Sequence, residues 1–305
     1  MRKHDSAVRG SGRMKALRGG REKTTLSIFG GFLALSALLL GILALVQNAS
    51  GGSLLLALIA APSPGSVPNP YCRSKPTGDL PPLDVTEMRP WNYDAAWHAS
   101  QWDNDFSRIP WRSDHVTFAA NGDVMMRLDR SGAPQIKSER RIAMADKGIW
   151  EVEVTLPEMR PGLVVAPLWL YNEGLREEID FEFVGTKGLD LSLHAYPDGE
   201  YRKTVVPLFR GVDFSNCTVR FKIVADIPAG WAEMYIEDVL LHRFEKEDIG
   251  HFATGATRPI IEMWAARDDN RGFVQWLDKW QGLSAGEALT MRVHGYRYLS
   301  EMPDR

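Results

Sequence analysis

The 305-residue sequence predicts an all-β fold, two antiparallel sheets packed as a sandwich, behind an N-terminal membrane-spanning helix. Three observations carry this. From about Trp91 the chain breaks into short alternating runs separated by Gly, Pro, Asn and Asp, the spacing of many short strands. No long stretch outside the membrane anchor holds a helical period. Upstream, Thr24 to Val46 is a continuous uncharged run that would span about 34 Å as a helix, enough to cross a bilayer.

Residues 1–23 form a basic tail with eight Lys/Arg and two Asp/Glu, a net +6. A basic flank of this kind holds the N-terminus in the cytoplasm and sends the rest of the chain across. The apolar run exceeds the roughly 7–15 residues of a signal-peptide core, and Ala49-Ser50-Gly51 matches a cleavage site poorly. The expected arrangement is an uncleaved inner-membrane signal anchor over 24–61 with a periplasmic or extracellular domain; secretion after cleavage is the alternative. The apolar extension Ser53 to Ala61 is too short to span alone. Residues 62–87, rich in Pro, read as an extended linker, and 88–305 as one large domain.

Composition excludes several classes. The chain beyond the tail carries 28 basic and 37 acidic residues, which argues against nucleic acid as a partner. The seven histidines form no His-x-His or His-x-x-x-His pair, and there is neither a Gly-x-Ser-x-Gly elbow nor a phosphate loop. Cys72 and Cys217 can pair in an oxidising compartment, or stand as two unrelated thiols.

Strand-like runs occur at His115–Ala119, Asp123–Leu128, Trp150–Leu156, Leu163–Tyr171, Leu189–His194, Thr218–Val224, Trp231–Ile236, Pro259–Trp264 and Leu289–Val293. Some 210 residues of such runs suit a jelly-roll β-sandwich whose one face can hold a polymer. The most informative strand is Glu178-Ile179-Asp180-Phe181-Glu182-Phe183-Val184. Its period of two places Glu178, Asp180 and Glu182 on one face and Ile179, Phe181 and Phe183 on the other, towards a core.

Glu178 and Glu182 are four residues apart, so their Cα atoms stand roughly 13 Å apart in a strand. Leaning together, their carboxyls come within about 5–6 Å, nearer the spacing of a retaining glycosidase (about 5–5.5 Å) than an inverting one (about 6.5–9.5 Å). Three carboxylates on one face repel, which keeps at least one protonated near neutrality, as a general acid must be. This reading leaves open which Glu does which.

Glu178-Ile179-Asp180-Phe181-Glu182-Phe183, followed by Gly185, resembles the Glu-x-Asp-x-Glu strand of family 16 glycoside hydrolases, the lichenase and laminarinase group. The resemblance implies a concanavalin-like jelly roll, with Glu178 as nucleophile, Glu182 as acid/base and Asp180 as their modulator. It extends with gaps over roughly 88–300. Trp111-Arg112 before Val116-Thr117-Phe118 and Asn121-Gly122 resembles the lichenase run. So do Gly148-Ile149-Trp150-Glu151-Val152, Ile261-Glu262-Met263-Trp264 and Trp276-Leu277.

Sugars bind through aromatic stacking and planar hydrogen-bonding groups. The implied substrate-binding set is Trp111, Arg140, Trp169, Tyr171, His194, Glu262 and Trp264. Glu262 and His194 stand where lichenases carry Asn, so hydroxyl recognition would differ. Glu262 would alternatively pair with an arginine, Arg140 or Arg141. His294 stands where relatives use an Asp to hold a structural calcium, so that metal does not carry over, and no other cofactor is implied.

The expected activity is that of a retaining endo-β-glucanase on β-1,3/1,4-glucan or a bacterial exopolysaccharide, from a monomeric, membrane-anchored protein. A transglycosylase on a cell-envelope polysaccharide and a non-catalytic carbohydrate-binding protein are the alternatives.

Overall fold

The computed structural model describes residues 69–83, 97–138 and 144–302. The basic tail, the anchor, part of the linker, and Arg140 and Arg141 lie outside the described residues. Among the described residues no helix is long and apolar enough to cross a membrane.

Fourteen strands, among the described residues, form two seven-stranded sheets. Numbered along the chain, one sheet runs in the order β1 (Trp97–Ala99), β4 (Gln135–Ser138), β13 (Arg258–Ala265), β6 (Leu163–Asn172), β7 (Glu177–Val184), β8 (Leu189–Ala195), β9 (Arg202–Leu208). The other runs β12 (Val239–Glu245), β11 (Trp231–Ile236), β10 (Thr218–Asp226), β5 (Lys147–Thr155), β14 (Leu289–Leu299), β3 (Val124–Leu128), β2 (Val116–Phe118). Neighbouring strands pair antiparallel throughout, as a jelly-roll-like sandwich requires.

The apolar half of β7 makes the core contact that fixes the strand's orientation. Ile179, Phe181 and Phe183 are at most 1% exposed. Phe181 and Phe183 both meet Phe221 of β10, in the facing sheet, edge to face. Burying each such ring contributes about 1.5–3 kcal/mol, so the opposite register, which would bury three carboxyls in the core, is excluded energetically. Gly185 ends the strand with φ +57°, and a Cβ there would meet the Leu277 carbonyl oxygen at 2.9 Å.

Every run predicted as a strand overlaps one. The sequence pattern misses β1, β4, β9 and β12. Three of these are sheet edges among the described residues, where one flank is left without a paired strand and apolar alternation is not demanded. Pro207 sits in β9, an edge strand that tolerates a missing donor. The other departure is a seven-residue helix, α2 (Arg271–Leu277), after a shorter α1 (Lys246–Ile249). The Asn270 side chain caps α2 by accepting from the Gly272 and Phe273 amides.

Part of the segment expected as linker is held on the sandwich. Cys72 and Cys217 form a disulfide, with Cα atoms 4.8 Å apart. Arg73 exchanges both backbone hydrogen bonds with Thr218, at 3.1 and 2.9 Å. Leu80 and Leu83 are each 5% exposed.

Candidate active site

Cross-strand register turns the first sheet's open face into rows. Residues directly opposite on antiparallel strands point the same way. One row runs Arg258, Tyr171, Glu178, His194, Lys203 across β13, β6, β7, β8 and β9. The next runs His98, Lys137, Ile260, Trp169, Asp180, Ser192. In the third, Gln135 faces Glu262, and Glu182 faces Asp190. The β6–β7 register shifts between Val165 and Leu168, opposite Glu182, a bulge that re-aims side chains at that point.

These rows floor a cleft of about 820 Å³. Glu178, Asp180, Glu182, His194, Glu262 and Trp264 all line it, with Trp169 and Tyr171 on one flank of the acids. The Trp169 and Tyr171 rings lie 5.0 Å apart and present adjoining aromatic faces. Tyr196, Tyr201 and Trp276 stand on the other flank. Trp264 is only 6% exposed; its ring packs edge-on against Phe106 and Phe273 and reaches the cleft along one side.

One expected binding residue is not found there. Trp111 is fully buried and does not line the cleft. It pairs by backbone bridges with Trp102 and Ala133, and its ring sits 6.3 Å from that of Phe106, so it is a core residue. Arg140 lies outside the described residues. Glu262 takes its hydrogen bond from Gln135 Nε2, and Gln135 Oε1 in turn accepts from Ser100 Oγ.

The electrostatics set the acids apart from ordinary carboxylates. Burial, reinforced by Glu182 and Glu262, pushes Glu178 well above its usual range. Asp180 is also raised well above its usual range, by burial and then by Glu178 and Glu182. Glu182 is raised by burial, partly offset by Lys203. Glu262 rises to about 7 through burial, countered by the Gln135 hydrogen bond. The cleft therefore stores protons near neutrality.

His194 goes the other way. Burial, then Lys203, pulls it down to about 3, so it is neutral at pH 7. Its Nδ1 lies 2.8 Å from the Tyr201 hydroxyl and 3.7 Å from Glu178, and its Nε2 lies 3.5 Å from Asp180. With the tyrosine donating to Nδ1, the ring's own N–H faces Asp180; this tautomer is assigned from the network. Glu178, Asp180 and His194 have donor atoms within 4.8 Å of one another, a spacing a divalent cation would fit. His294 bridges Asp123 and Thr155 Oγ1, at 3.1 and 2.7 Å, away from the cleft.

Sequence reasoning missed Lys137, Gln135, Tyr196, Tyr201 and Lys203, which line the same cleft. Lys203 lies on the unpredicted edge strand β9, and Gln135 and Lys137 on the four-residue β4. The one available signal was the pair of tyrosines flanking Pro197-Asp198-Gly199, a turn directly after a predicted strand.

Comparison with known proteins agrees with this geometry. The sequence model of glycosyl hydrolases family 16 matches residues 103–280. No curated protein matches the sequence. Among solved structures, the chain is similar to a Bacillus licheniformis β-glucanase, at 18% identity and a TM-score of 0.53, over 67% of this chain and 92% of that one. It is similar to a Bacteroides ovatus mixed linkage glucan family 16 protein in complex with a product, at 14% identity and TM-score 0.57, over 71% and 98%. It is also similar to the Crh5 transglycosylase, at 17% identity and TM-score 0.51, over 72% and 84%.

Proposed function

The chain belongs to glycosyl hydrolases family 16, and from that premise we propose that this glycoside hydrolase is a retaining endo-β-glucanase working by double displacement. The observation that carries the proposal is the β7 face: three acids with pKa values pushed upward together, in a cleft flanked by Trp169 and Tyr171. The β-glucanase and mixed linkage glucan proteins of the same fold support β-glucan as the substrate class.

In the first step Glu182 donates its proton to the glycosidic oxygen as Glu178 attacks the anomeric carbon. The bond to the leaving sugar breaks and a glycosyl ester on Glu178 forms. Glu182, now a carboxylate, takes a proton from the acceptor, which attacks the same carbon and releases Glu178. Asp180, between them, limits how much negative charge the face can hold. Trp169 and Tyr171 stack on the sugar beside the cut bond, with His194, Glu262 and Trp264 reading its hydroxyls. A sugar hydroxyl in place of water makes the same cycle a transglycosylation.

Rescue by azide assigns the roles. Glu178→Ala should not turn over natural substrates, and azide should restore reaction to give an α-glycosyl azide. Glu182→Ala should still react with an aryl glycoside bearing a good leaving group, and azide should give the β-configured product. Reversed stereochemistry between the two variants would swap the labels. Inverted product from the unmodified enzyme would end the double-displacement reading.

The anchor belongs to the same proposal. An uncharged 23-residue run behind a +6 tail supports a chain tethered in the inner membrane, its domain exported to trim a polysaccharide outside. Alkaline phosphatase fused after residue 70 should be active; an inactive fusion, with a cytoplasmic reporter working at that site, contradicts the topology.

A further inference from the structure

At the β4–β13 side of the cleft two buried cations share one carboxylate. Lys137 has a side chain 13% exposed, and Arg258 one only 5% exposed. Both pair with the same atom, Oε1 of Glu173; the lysine contact is 3.3 Å. Arg258 also donates to the Ser138 carbonyl oxygen at 3.2 Å. All three charged residues line the cleft.

Two buried cations on one directly paired carboxylate is an unbalanced arrangement; the next acid that acts on Lys137, Glu262, holds its hydrogen bond with Gln135. Charges taken out of water are retained at least expense when each is paired, and a leftover charge in a low-dielectric cleft is strongly unfavourable. Burial pulls the Lys137 ammonium below its ordinary pKa, Glu173 opposes this, Arg258 adds to it, and Glu262, itself raised to about 7, opposes it more weakly. A protein that needed only a stable floor here would do better with apolar side chains. What fits the excess is an anion brought from outside.

The surroundings say what kind. The Lys137 ammonium lies 5.6 Å from the centroid of the Trp102 ring, and Trp102, at 36% exposed, also lines the cleft. An open indole face next to a lysine offers a platform for a sugar ring with a charge contact at its edge. The acids of β7 lie two strands from β13, with the aromatic strand β6 between. The subsite therefore reads a sugar displaced from the reacting one.

We propose that Lys137 and Arg258, beside Trp102, form a subsite for a carboxylate-bearing sugar, so that the substrate is an acidic β-linked polysaccharide rather than a neutral glucan. This rests on the reading of the cleft as a polysaccharide site and names the substrate class within it. Lys137 would supply a point charge, and Arg258, held by Ser138 and Glu173, a fixed donor.

The test uses the full-length chain, solubilised in mild detergent and carrying Glu182→Gln so that bound sugar is not cut. Its affinity is measured for a mixed-linkage β-glucan and for the same polymer with part of its C6 hydroxymethyl groups oxidised to carboxylates. The oxidised polymer should bind about tenfold more tightly at low salt. The advantage should fade as salt rises through roughly 0.1–1 M. Adding Lys137→Met, which keeps most of the stem, should remove the preference and leave the neutral polymer's affinity unchanged. Adding Glu173→Gln should enlarge the preference. Equal binding of the two polymers, binding of neither, or equal weakening of both by Lys137→Met overturns the proposal. Hydrolysis is assayed in parallel on the chain with Glu182 intact. Cleavage without charge preference fells the acidic subsite alone; charge preference without cleavage of either polymer fells the glucanase reading alone.

Discussion

Glu153 on β5 and Asp180 on β7 are almost equally sealed from water, at 1% and 2% exposure, in the two facing sheets. Their surroundings are opposite. The Glu153 carboxylate accepts from the Thr77 amide at 3.0 Å and the Thr77 hydroxyl at 3.1 Å, and it pairs with Arg73 at 2.8 Å. Burial alone would raise Glu153, but these partners outweigh it and hold the acid below its usual range. Asp180 has no hydrogen-bond partner on either oxygen among the described residues, and its pKa goes up. Burial therefore does not distinguish a structural carboxylate from a reactive one; the set of donors aimed at it does.

The largest expected effect concerns activity. Asp180→Asn should lower kcat by about 10²-fold, within the range that positioned acid–base groups contribute, while Glu153→Gln leaves kcat close to that of the unmodified enzyme. Equal losses in both would erase the distinction. Next is stability. Glu153→Gln should destabilise the domain by about 2–3 kcal/mol near neutral pH, read by denaturant unfolding, because the Thr77 donors and Arg73 lose a charged acceptor. The sign with pH follows from the lowered pKa. Stabilisation by Glu153 is present above its ordinary value of 4.5 and is lost as pH falls through the lower folded value, so the deficit should shrink in acid.

The smallest effect has the opposite sign. Asp180 is raised in the folded state, so its ionisation opposes folding once pH exceeds its ordinary 3.8. Asp180→Asn should stabilise the domain by about 0.5–2 kcal/mol at neutral pH, with the gain vanishing below pH 3.8. A loss of stability in this variant would mean that the carboxylate has structural partners after all.

How much of this was legible in the sequence depends on how local each signal is. The β7 acids were readable because alternation with Ile179, Phe181 and Phe183 is a property of seven consecutive residues, and burial of those rings leaves the acids one direction to point. Trp169 and Tyr171 were implied by the family resemblance, and the register of the preceding strand sets them beside Asp180 and Glu178. Trp111 was misread as a cleft residue because nothing in Trp111-Arg112-Ser113 alternates; only the fold shows which side of the chain is inside. The Lys137–Glu173–Arg258 cluster joins positions 36 and 85 residues apart, one on a strand too short to recognise, and no local pattern announces it.

The Cys72–Cys217 bond has a mechanical consequence. It joins residues 145 positions apart, and Cys217 directly precedes β10, whose rings meet β7. A pull on the chain upstream of Cys72 is delivered through that covalent link to the start of β10. The stretch between the two cysteines, which contains β7 with Glu178, Asp180 and Glu182, hangs as a closed loop off the path that carries the pull. Tension from whatever the N-terminal segment is fixed to would be carried around the reacting strand instead of along it.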